Sequence, residues 1–443
     1  MDSRHHEVQM RYVAAFQPLA AEREDELAEY FVPPRDFDLI RQDTSVAVFS
    51  ERGGGQSALI AFLEQADCDA KGELQHLWLR WSPQSEMGSQ APWLGRFLDL
   101  FAQSIIEWLA MHPDVVEVAS SWIPQVLGGF IKEAVLGLNL YLGYWLEQAP
   151  FLEKWIEQAK PLSVLKVSPQ KAIHLVVQAL KKLGLKGVIM VVSLDTYSAQ
   201  SEREVKEFLS SLPLLEQESF IVKGFFPMTL LDTLGGTAGV RSYRVLPVRL
   251  TWQEPELKQI VQRRIQWVLG DSITLDAICE SPEDVWEWLR VVGESSPRTW
   301  LQQVRAIVNA YIVQKEVVSV EQWETLRLDN PPAMWVDAQR QMVCIGGKRI
   351  AFTEFNPQEL RVLLYLYENP NRTVGREEIY YRAIQQIDFI PKTSEDPQYE
   401  SPSDYRGRLD TILWRLRQII EPAPSTPLLL QTKRGQGVFL RIV

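Results

Sequence analysis

The stretch Val46–Leu63, VAVFSERGGGQSALIAFL, decides the fold of this chain. It reads as a short apolar strand, a glycine-rich loop, and a helix whose apolar residues recur with helical spacing. In such a layout, backbone N–H groups and a helix N-terminus together form a cradle for an anion such as phosphate. The stretch therefore predicts a phosphate-binding loop in an α/β protein.

The loop departs from the signature G-x-x-x-x-G-K-[ST] at two positions. Ser50 replaces the first glycine and Gln56 replaces the lysine, whereas Ser57 keeps the hydroxyl that usually binds magnesium. Without the lysine, the loop lacks the point charge that holds the β- and γ-phosphates. We expect at most weak binding of ATP or ADP with Mg²⁺. The candidate nucleotide-binding residues are Gly53, Gly54, Gly55, Gln56, Ser57 and Asp195.

Four further segments predict the rest of a parallel sheet. They are His76–Trp81, Val188–Val192, Ser219–Phe226 and Tyr243–Leu250. A continuous apolar strand flanked by helical stretches is typical of a parallel sheet that is covered on both faces.

The chemistry after the strand Val188–Val192 also argues against an ATPase. Asp195 follows that strand and can hold magnesium through water. Thr196 stands where a glutamate would activate the attacking water, and it cannot do so. We therefore expect a protein that is not an enzyme.

Composition describes an ordinary globular chain of 443 residues, 46% hydrophobic and 23% charged, with about two to four domains. The net charge of −11 argues against a protein that coats nucleic acid in general, but it allows one local DNA-reading surface.

The three cysteines, Cys68, Cys279 and Cys344, are too widely spaced for a disulfide framework or a metal cluster, which favours a cytoplasmic protein. The uncharged segment Ala134–Leu146 is too short to cross a bilayer, so we expect no membrane span.

Residues 36–330 resemble the STAND-type and AAA-like ATPases. The resemblance rests on four stretches, which follow one another along the chain as SERGGGQSALI, VIMVVSLD, IVKGFFPMTLL and RLTWQEPELKQIVQRRI. It implies a degenerate P-loop NTPase-like domain at 36–250, with a helical insertion at about 92–160, and a helical lid at 251–330. A helical lead-in at 1–35 precedes them. The tryptophan-rich insertion is expected to be core or to bind a protein partner.

The first lid helix begins near Pro255 and ends at Gly270. Its Arg263 and Arg264 could reach a nucleotide, but solvated helix charges are the commoner role for such a pair.

The carboxyl-terminal part predicts three helices and a basic, glycine-tipped hairpin. Asn356 is a natural N-cap with Pro357 at the first helical position, and Glu359 completes a capping box. The third helix covers about Asp404–Glu421. Residues 335–443 resemble the OmpR/PhoB-type winged-helix DNA-binding domain, an α+β fold, through FNPQELRVL, TVGREEI, LDTILWRLR and TKRGQGV.

In a winged helix the third helix enters the major groove and the wing meets the DNA backbone. Residues 335–443 contain 15 Lys and Arg against 13 Asp and Glu, so this part is weakly basic. A long acidic connection at 386–403, with Glu395, Asp396 and Glu400, could repel phosphate. The candidate DNA-binding residues are Arg406, Arg408, Thr411, Arg415, Lys433 and Arg434.

Three hypotheses follow from these patterns. The first is a DNA-binding transcription regulator of prokaryotic style, with a degenerate nucleotide module and a winged helix. The second is a scaffold, inhibitor or adaptor that docks a protein partner through the insertion and the winged helix. The third is a nucleotide-dependent oligomerising switch.

Overall fold

The computed structural model describes residues 3–16, 27–82, 93–117, 120–134, 149–160, 168–194, 199–215, 219–393 and 395–442. The chain divides into two compact units. One is Ala20–Thr251, and the other combines Met1–Leu19 with Trp252–Val443. The first helix of the chain, α1 (Ser3–Phe16), thus belongs with the carboxyl-terminal half.

The unit Ala20–Thr251 is built on a five-stranded sheet whose strands all run parallel. The strands are β1 (Val46–Ser50), β2 (His76–Trp81), β3 (Gly187–Ser193), β4 (Phe220–Pro227) and β5 (Leu246–Arg249). Their order is β2-β3-β4-β1-β5, so the strand before the glycine loop lies between β4 and β5. The predicted P-loop NTPase-like α/β sheet is confirmed.

Helices cover this sheet. They are α2 (Leu27–Tyr30), α3 (Phe37–Arg41), α4 (Gln56–Ala66), α5 (Trp93–Met111), α6 (Pro113–Glu117), α7 (Trp122–Ala134), α8 (Pro150–Gln158), α9 (Pro169–Lys182), α10 (Ala199–Leu215), α11 (Met228–Thr233) and α12 (Gly236–Ser242). Strand β1 is buried along its whole length, as expected for a strand covered on both faces.

The helices of the insertion share one apolar core with the sheet. Phe101 of α5, Leu127 of α7 and Leu152 of α8 are fully buried in it, and Trp108 and Trp155 are nearly so, at 8% and 9% exposed. These tryptophans are therefore core residues, and a protein partner for the insertion stays a prediction. The segment Ala134–Leu146 falls, beyond its first residue, outside the described residues. No helix in the described ranges is both long and apolar enough to cross a membrane.

The second unit begins, after α1, with a bundle of lid helices. They are α13 (Glu254–Leu269), α14 (Leu275–Ile278), α15 (Pro282–Gly293), α16 (Pro297–Gln314) and α17 (Val320–Asp329). Helix α13 has Pro255 in its first turn and ends before Gly270, as predicted.

One expectation about α13 is wrong. Arg264 is not a solvated charge: it is 8% exposed, and its guanidinium donates a hydrogen bond to the Ala15 carbonyl oxygen of α1. Helix α1 is held there also by the Tyr12 hydroxyl, which donates to the Arg305 carbonyl oxygen of α16 at 3.4 Å. Arg264 is buried because α1 covers that face of α13 and supplies an acceptor at its last turn. Arg263 is exposed.

The rest of the unit is a winged helix with its own apolar core. In order, its elements are β6 (Met334–Asp337), β7 (Met342–Ile345), β8 (Lys348–Ala351), α18 (Pro357–Glu368), β9 (Thr373–Val374), α19 (Arg376–Glu378) with a π-helical continuation (Ile379–Ile384), α20 (Pro402–Ile420), β10 (Leu430–Lys433) and β11 (Gly437–Leu440). Strands β6, β7 and β8 form one antiparallel sheet, and β10, β11 and β9 form another. The predicted three helices and basic hairpin are present.

The turn between β7 and β8 packs against the end of α15 without space for a side chain. Gly347 donates its N–H to the Val292 carbonyl oxygen at 2.8 Å. A Cβ on Gly347 would lie 1.8 Å from the Gly293 carbonyl oxygen, and one on Gly346 would lie 2.1 Å from that of Val292. The winged helix and the lid helices are therefore in direct backbone contact.

Candidate functional site

The glycine loop has the backbone shape of an anion cradle. Gly53 and Gly55 have φ of 81° and 87°, a left-handed conformation that favours glycine, and Gly55 caps the N-terminus of α4. Gly54 is buried, and a Cβ there would lie 2.9 Å from the Glu51 carbonyl oxygen and 3.0 Å from the Ser50 hydroxyl. All three glycines are thus required by local geometry, even though the signature is incomplete.

The side chain in the lysine position is engaged with the protein itself. Gln56 Nε2 donates a hydrogen bond to the Phe226 carbonyl oxygen at 2.8 Å. Phe226 pairs with Phe49 in the neighbouring strand, so Gln56 ties the start of α4 to β4. Ser57 is partly exposed beside it, and Asp195 lies outside the described residues. An amide replaces the cation here, and the amide already has an acceptor.

A buried lysine lies near this loop, and the sequence patterns did not single it out. Lys223 of β4 is 3% exposed and pairs across the sheet with Val46. Its ammonium donates to three carbonyl oxygens, those of Ile40 at 2.6 Å, Gln42 at 2.5 Å and Thr44 at 2.9 Å. Burial lowers the pKa of Lys223 to about 8. Lys223 fixes the chain that enters β1, and so the base of the loop.

In the second unit, α20 presents an exposed face opposite its buried leucines. Arg408, Thr411 and Arg415 all lie on it, as the sequence predicted. Arg406 is exposed too, but at about 100° per residue it lies about 140° around the helix from Thr411. Three of the four predicted α20 residues are therefore brought together, and Arg406 stands apart from them.

Arg408 is engaged by neighbours from the acidic connection and the π-helical turn. Its guanidinium forms an ion pair with Glu400 and donates to the Tyr380 hydroxyl at 2.8 Å. It also lies 5.4 Å from the centroid of the Tyr380 ring, and that ring stacks on Tyr405. Among the described acidic residues of the connection at 386–403, Glu400 is the one that forms an ion pair with the exposed face of α20, through Arg408.

Arg415 has a looser partner. Its Nη1 lies 3.8 Å from Glu359 Oε1, and its side chain remains 56% exposed. Glu359 is buried and forms the predicted capping box, since the Asn356 N–H donates to its Oε2 at 2.9 Å. The capping box is confirmed, and its carboxylate also faces α20.

The wing tip carries two exposed cations. Lys433 lies over the Phe439 ring, 4.8 Å from its centroid. Arg434 is exposed at the turn and, among the residues that the structure describes, has no ion pair. The following Gly435 has φ of 75°, which lets the hairpin turn tightly.

Two side chains from the end of α20 fix the wing relative to the helix. Arg417 Nε donates to the Leu430 carbonyl oxygen at 2.9 Å. The carboxylate of Glu421 accepts backbone N–H groups from Leu428 at 2.8 Å and from Leu429 at 2.9 Å. Burial raises the pKa of Glu421, while these hydrogen bonds oppose the shift. These contacts hold β10, the first strand of the wing, against the end of α20.

No family model and no curated protein matches this chain. Among solved structures, the ORC1 protein of Aeropyrum pernix in complex with DNA is 14% identical, covering 96% of this chain and 93% of that one, with a TM-score of 0.37. The ORC2 protein of the same organism is 11% identical, covers 99% and 90%, and has a TM-score of 0.38. The Thermotoga maritima response regulator DrrB, an OmpR/PhoB homolog, is 15% identical, covers 57% and 79%, and has a TM-score of 0.19. Likenesses at this level carry no inference about function.

Proposed function

We propose that this chain is a DNA-binding regulator of transcription, with a winged helix that binds DNA and a P-loop module that does not hydrolyse ATP. The observation that carries the proposal is the surface formed by α20 and the wing. Four exposed cations lie on the two elements of a winged helix that meet the major groove and the phosphates. They are Arg408, Arg415, Lys433 and Arg434.

The two ion pairs on α20 do not bar this role. Arg408 and Arg415 each keep 56% of the side chain exposed. The Arg408–Glu400 pair is exposed on both sides and contributes about 0–1 kcal/mol, so a DNA phosphate can replace Glu400 at little cost. Arg415 lies 3.8 Å from the buried Glu359, and this carboxylate keeps its hydrogen bond from the Asn356 N–H if Arg415 turns to a phosphate. Arg434 at the wing tip needs no such exchange, and it is well placed for a phosphate.

The side chain at position 56 of the glycine loop supports a module that does not hydrolyse ATP. Gln56 supplies no charge for the β- and γ-phosphates, and its amide is bound to the Phe226 carbonyl oxygen. The glycines still offer backbone N–H groups, so ATP or ADP with Mg²⁺ is expected to bind weakly at most.

Fluorescence anisotropy with the full-length protein and a pool of genomic duplexes tests the DNA-binding role. Replacing Arg408, Arg415, Lys433 and Arg434 together with glutamine should abolish binding at low salt. Each phosphate contact that is lost should also reduce the slope of log affinity against log salt concentration by about 0.9.

A matched control removes the same total charge elsewhere in the same unit. Its four exposed positions, changed to glutamine, are Arg263, Arg298, Lys315 and Lys392. This control should bind DNA within about twofold of the wild type, because screening limits the reach of distant charges. Equal loss in both variants, or no binding by the wild type at 50 mM salt, would refute a DNA-binding role.

A further inference from the structure

The centre of the exposed face of α20 is not cationic. Four exposed residues lie along it within an arc of about 60°, namely Gly407, Thr411, Trp414 and Gln418. We call these four residues the central row. Arg408, Arg415 and, at the start of the helix, Asp404 all lie to one side of the central row. The Asp404 carboxylate accepts a hydrogen bond from the Ser401 hydroxyl at 2.8 Å.

The central row carries no charge, and its largest side chain is apolar. Trp414 is 59% exposed in the middle of it. The Thr411 hydroxyl donates back to the Gly407 carbonyl oxygen at 2.9 Å, so this donor is used within the helix and the methyl group is left for an outside contact. Gln418, one helical turn after Trp414, adds a side-chain amide with both a donor and an acceptor.

From this row we infer, on the basis of the DNA-binding role proposed above, that α20 reads A·T pairs in the major groove. Thymine alone among the four bases presents a methyl group there, and apolar side chains are the groups that contact it. A glutamine amide fits the N6 and N7 edge of adenine. Trp414 and the Thr411 methyl group meet thymine methyls, and Gln418 binds adenine.

The arginines on this helix serve the phosphates instead of guanine. A guanidinium reads guanine when it reaches the O6 and N7 edge of the base in the major groove. Here Arg408 is bound to Glu400 and Tyr380 at the side of the row, and Arg415 faces Glu359 on the same side. Both guanidinium groups are therefore placed for one strand of the DNA backbone.

The experiment begins by selecting duplexes from a random pool with the full-length protein. Each thymine of the selected site is then replaced singly by deoxyuridine, which removes the C5 methyl group and changes nothing else in the groove. At the positions under α20 we expect the affinity to fall about fourfold per methyl group. In Trp414→Ala, at least one of those replacements should no longer affect the affinity.

Two variants complete the design. Phe389→Ala removes an aromatic ring that is 48% exposed and lies outside α20, so it should keep the full response to deoxyuridine. Gln418→Ala should relax the choice of adenine by about fivefold or more, the lower end for a lost bidentate contact.

The outcomes separate this inference from the proposed function. If the wild type selects no duplex at low salt, the DNA-binding role fails, and the inference fails with it. If DNA binds but the selected sites are rich in G·C, the inference fails alone. The same holds if Trp414→Ala responds to deoxyuridine as the wild type does.

Discussion

Glu400→Gln should tighten DNA binding, because Glu400 competes with phosphate for Arg408. The change is isosteric and leaves the local backbone anchored, since the Glu400 N–H donates to the Tyr381 hydroxyl at 2.9 Å. The Glu400 side chain also accepts from Gln385 Nε2 at 3.0 Å, and a glutamine oxygen can keep that bond. What is lost is the ion pair with Arg408.

The magnitude follows from the exposure of the pair. The side chains of Arg408 and Glu400 are 56% and 34% exposed, so their pair is worth about 0–1 kcal/mol. Release of Arg408 should therefore raise the affinity by up to about fivefold. Because one more arginine can then meet a phosphate, the salt dependence should steepen by up to about 0.9 units.

The assay is a DNA titration at several salt concentrations between 50 and 200 mM. The matched control is Glu395→Gln, which removes the same charge from the same connection at a position without an ion pair to α20 within the described residues. Adding Arg408→Ala to Glu400→Gln should remove the gain, because the two side chains act as one unit. An equal gain in the Glu395 control, or weaker binding by Glu400→Gln, would refute the competition.

Three other predictions concern the loop, the buried lysine and the glycine turn. The purified protein should hydrolyse ATP at background rate, and so should Gln56→Lys; Mg²⁺-dependent release of phosphate that disappears in Gln56→Ala would contradict this. Since the pKa of Lys223 is about 8 in the folded state against 10.5 for an unperturbed lysine, the unfolded chain binds more protons between those pH values. The free energy of unfolding should then rise with pH across that window, by up to about 3 kcal/mol. In Lys223→Met, urea titrations at the same pH values should show no such rise in the free energy of unfolding. Gly347→Ala should lower the midpoint of urea unfolding, because its Cβ would lie 1.8 Å from the Gly293 carbonyl oxygen. In Gly407→Ala, where nothing lies within 4 Å, the midpoint should stay or increase.

The features that the sequence predicted well are those that depend on neighbours along the chain. The capping box joins Asn356 to Glu359, three residues apart, and the spacing alone reveals it. Strand β3 is recognisable because a run of apolar residues ends at polar ones on both sides. The order of the motifs then indicates the parallel sheet.

The features that were missed depend on partners far away in the chain. Gln56 binds the carbonyl oxygen of a residue 170 positions later, and Lys223 binds that of Ile40, 183 positions earlier. Arg264 has its acceptor 249 positions earlier, so a helix pattern could only assign it to solvent. Glu400 was recognised as acidic, but its contact with Arg408 depends on the path of an irregular connection.

The position of α1 has a consequence for synthesis of the protein. A ribosome adds about 5–20 residues per second, so Ala15 emerges roughly 12–50 s before Arg264, from which it accepts a hydrogen bond across 249 residues. The sheet of Ala20–Thr251 has all five strands available before that. During this interval Tyr12 and Phe16, both buried in the final structure, have no lid helices to cover them. The nascent chain thus carries an uncovered apolar segment in α1, the kind of surface that chaperones bind, until α13 and α16 are made.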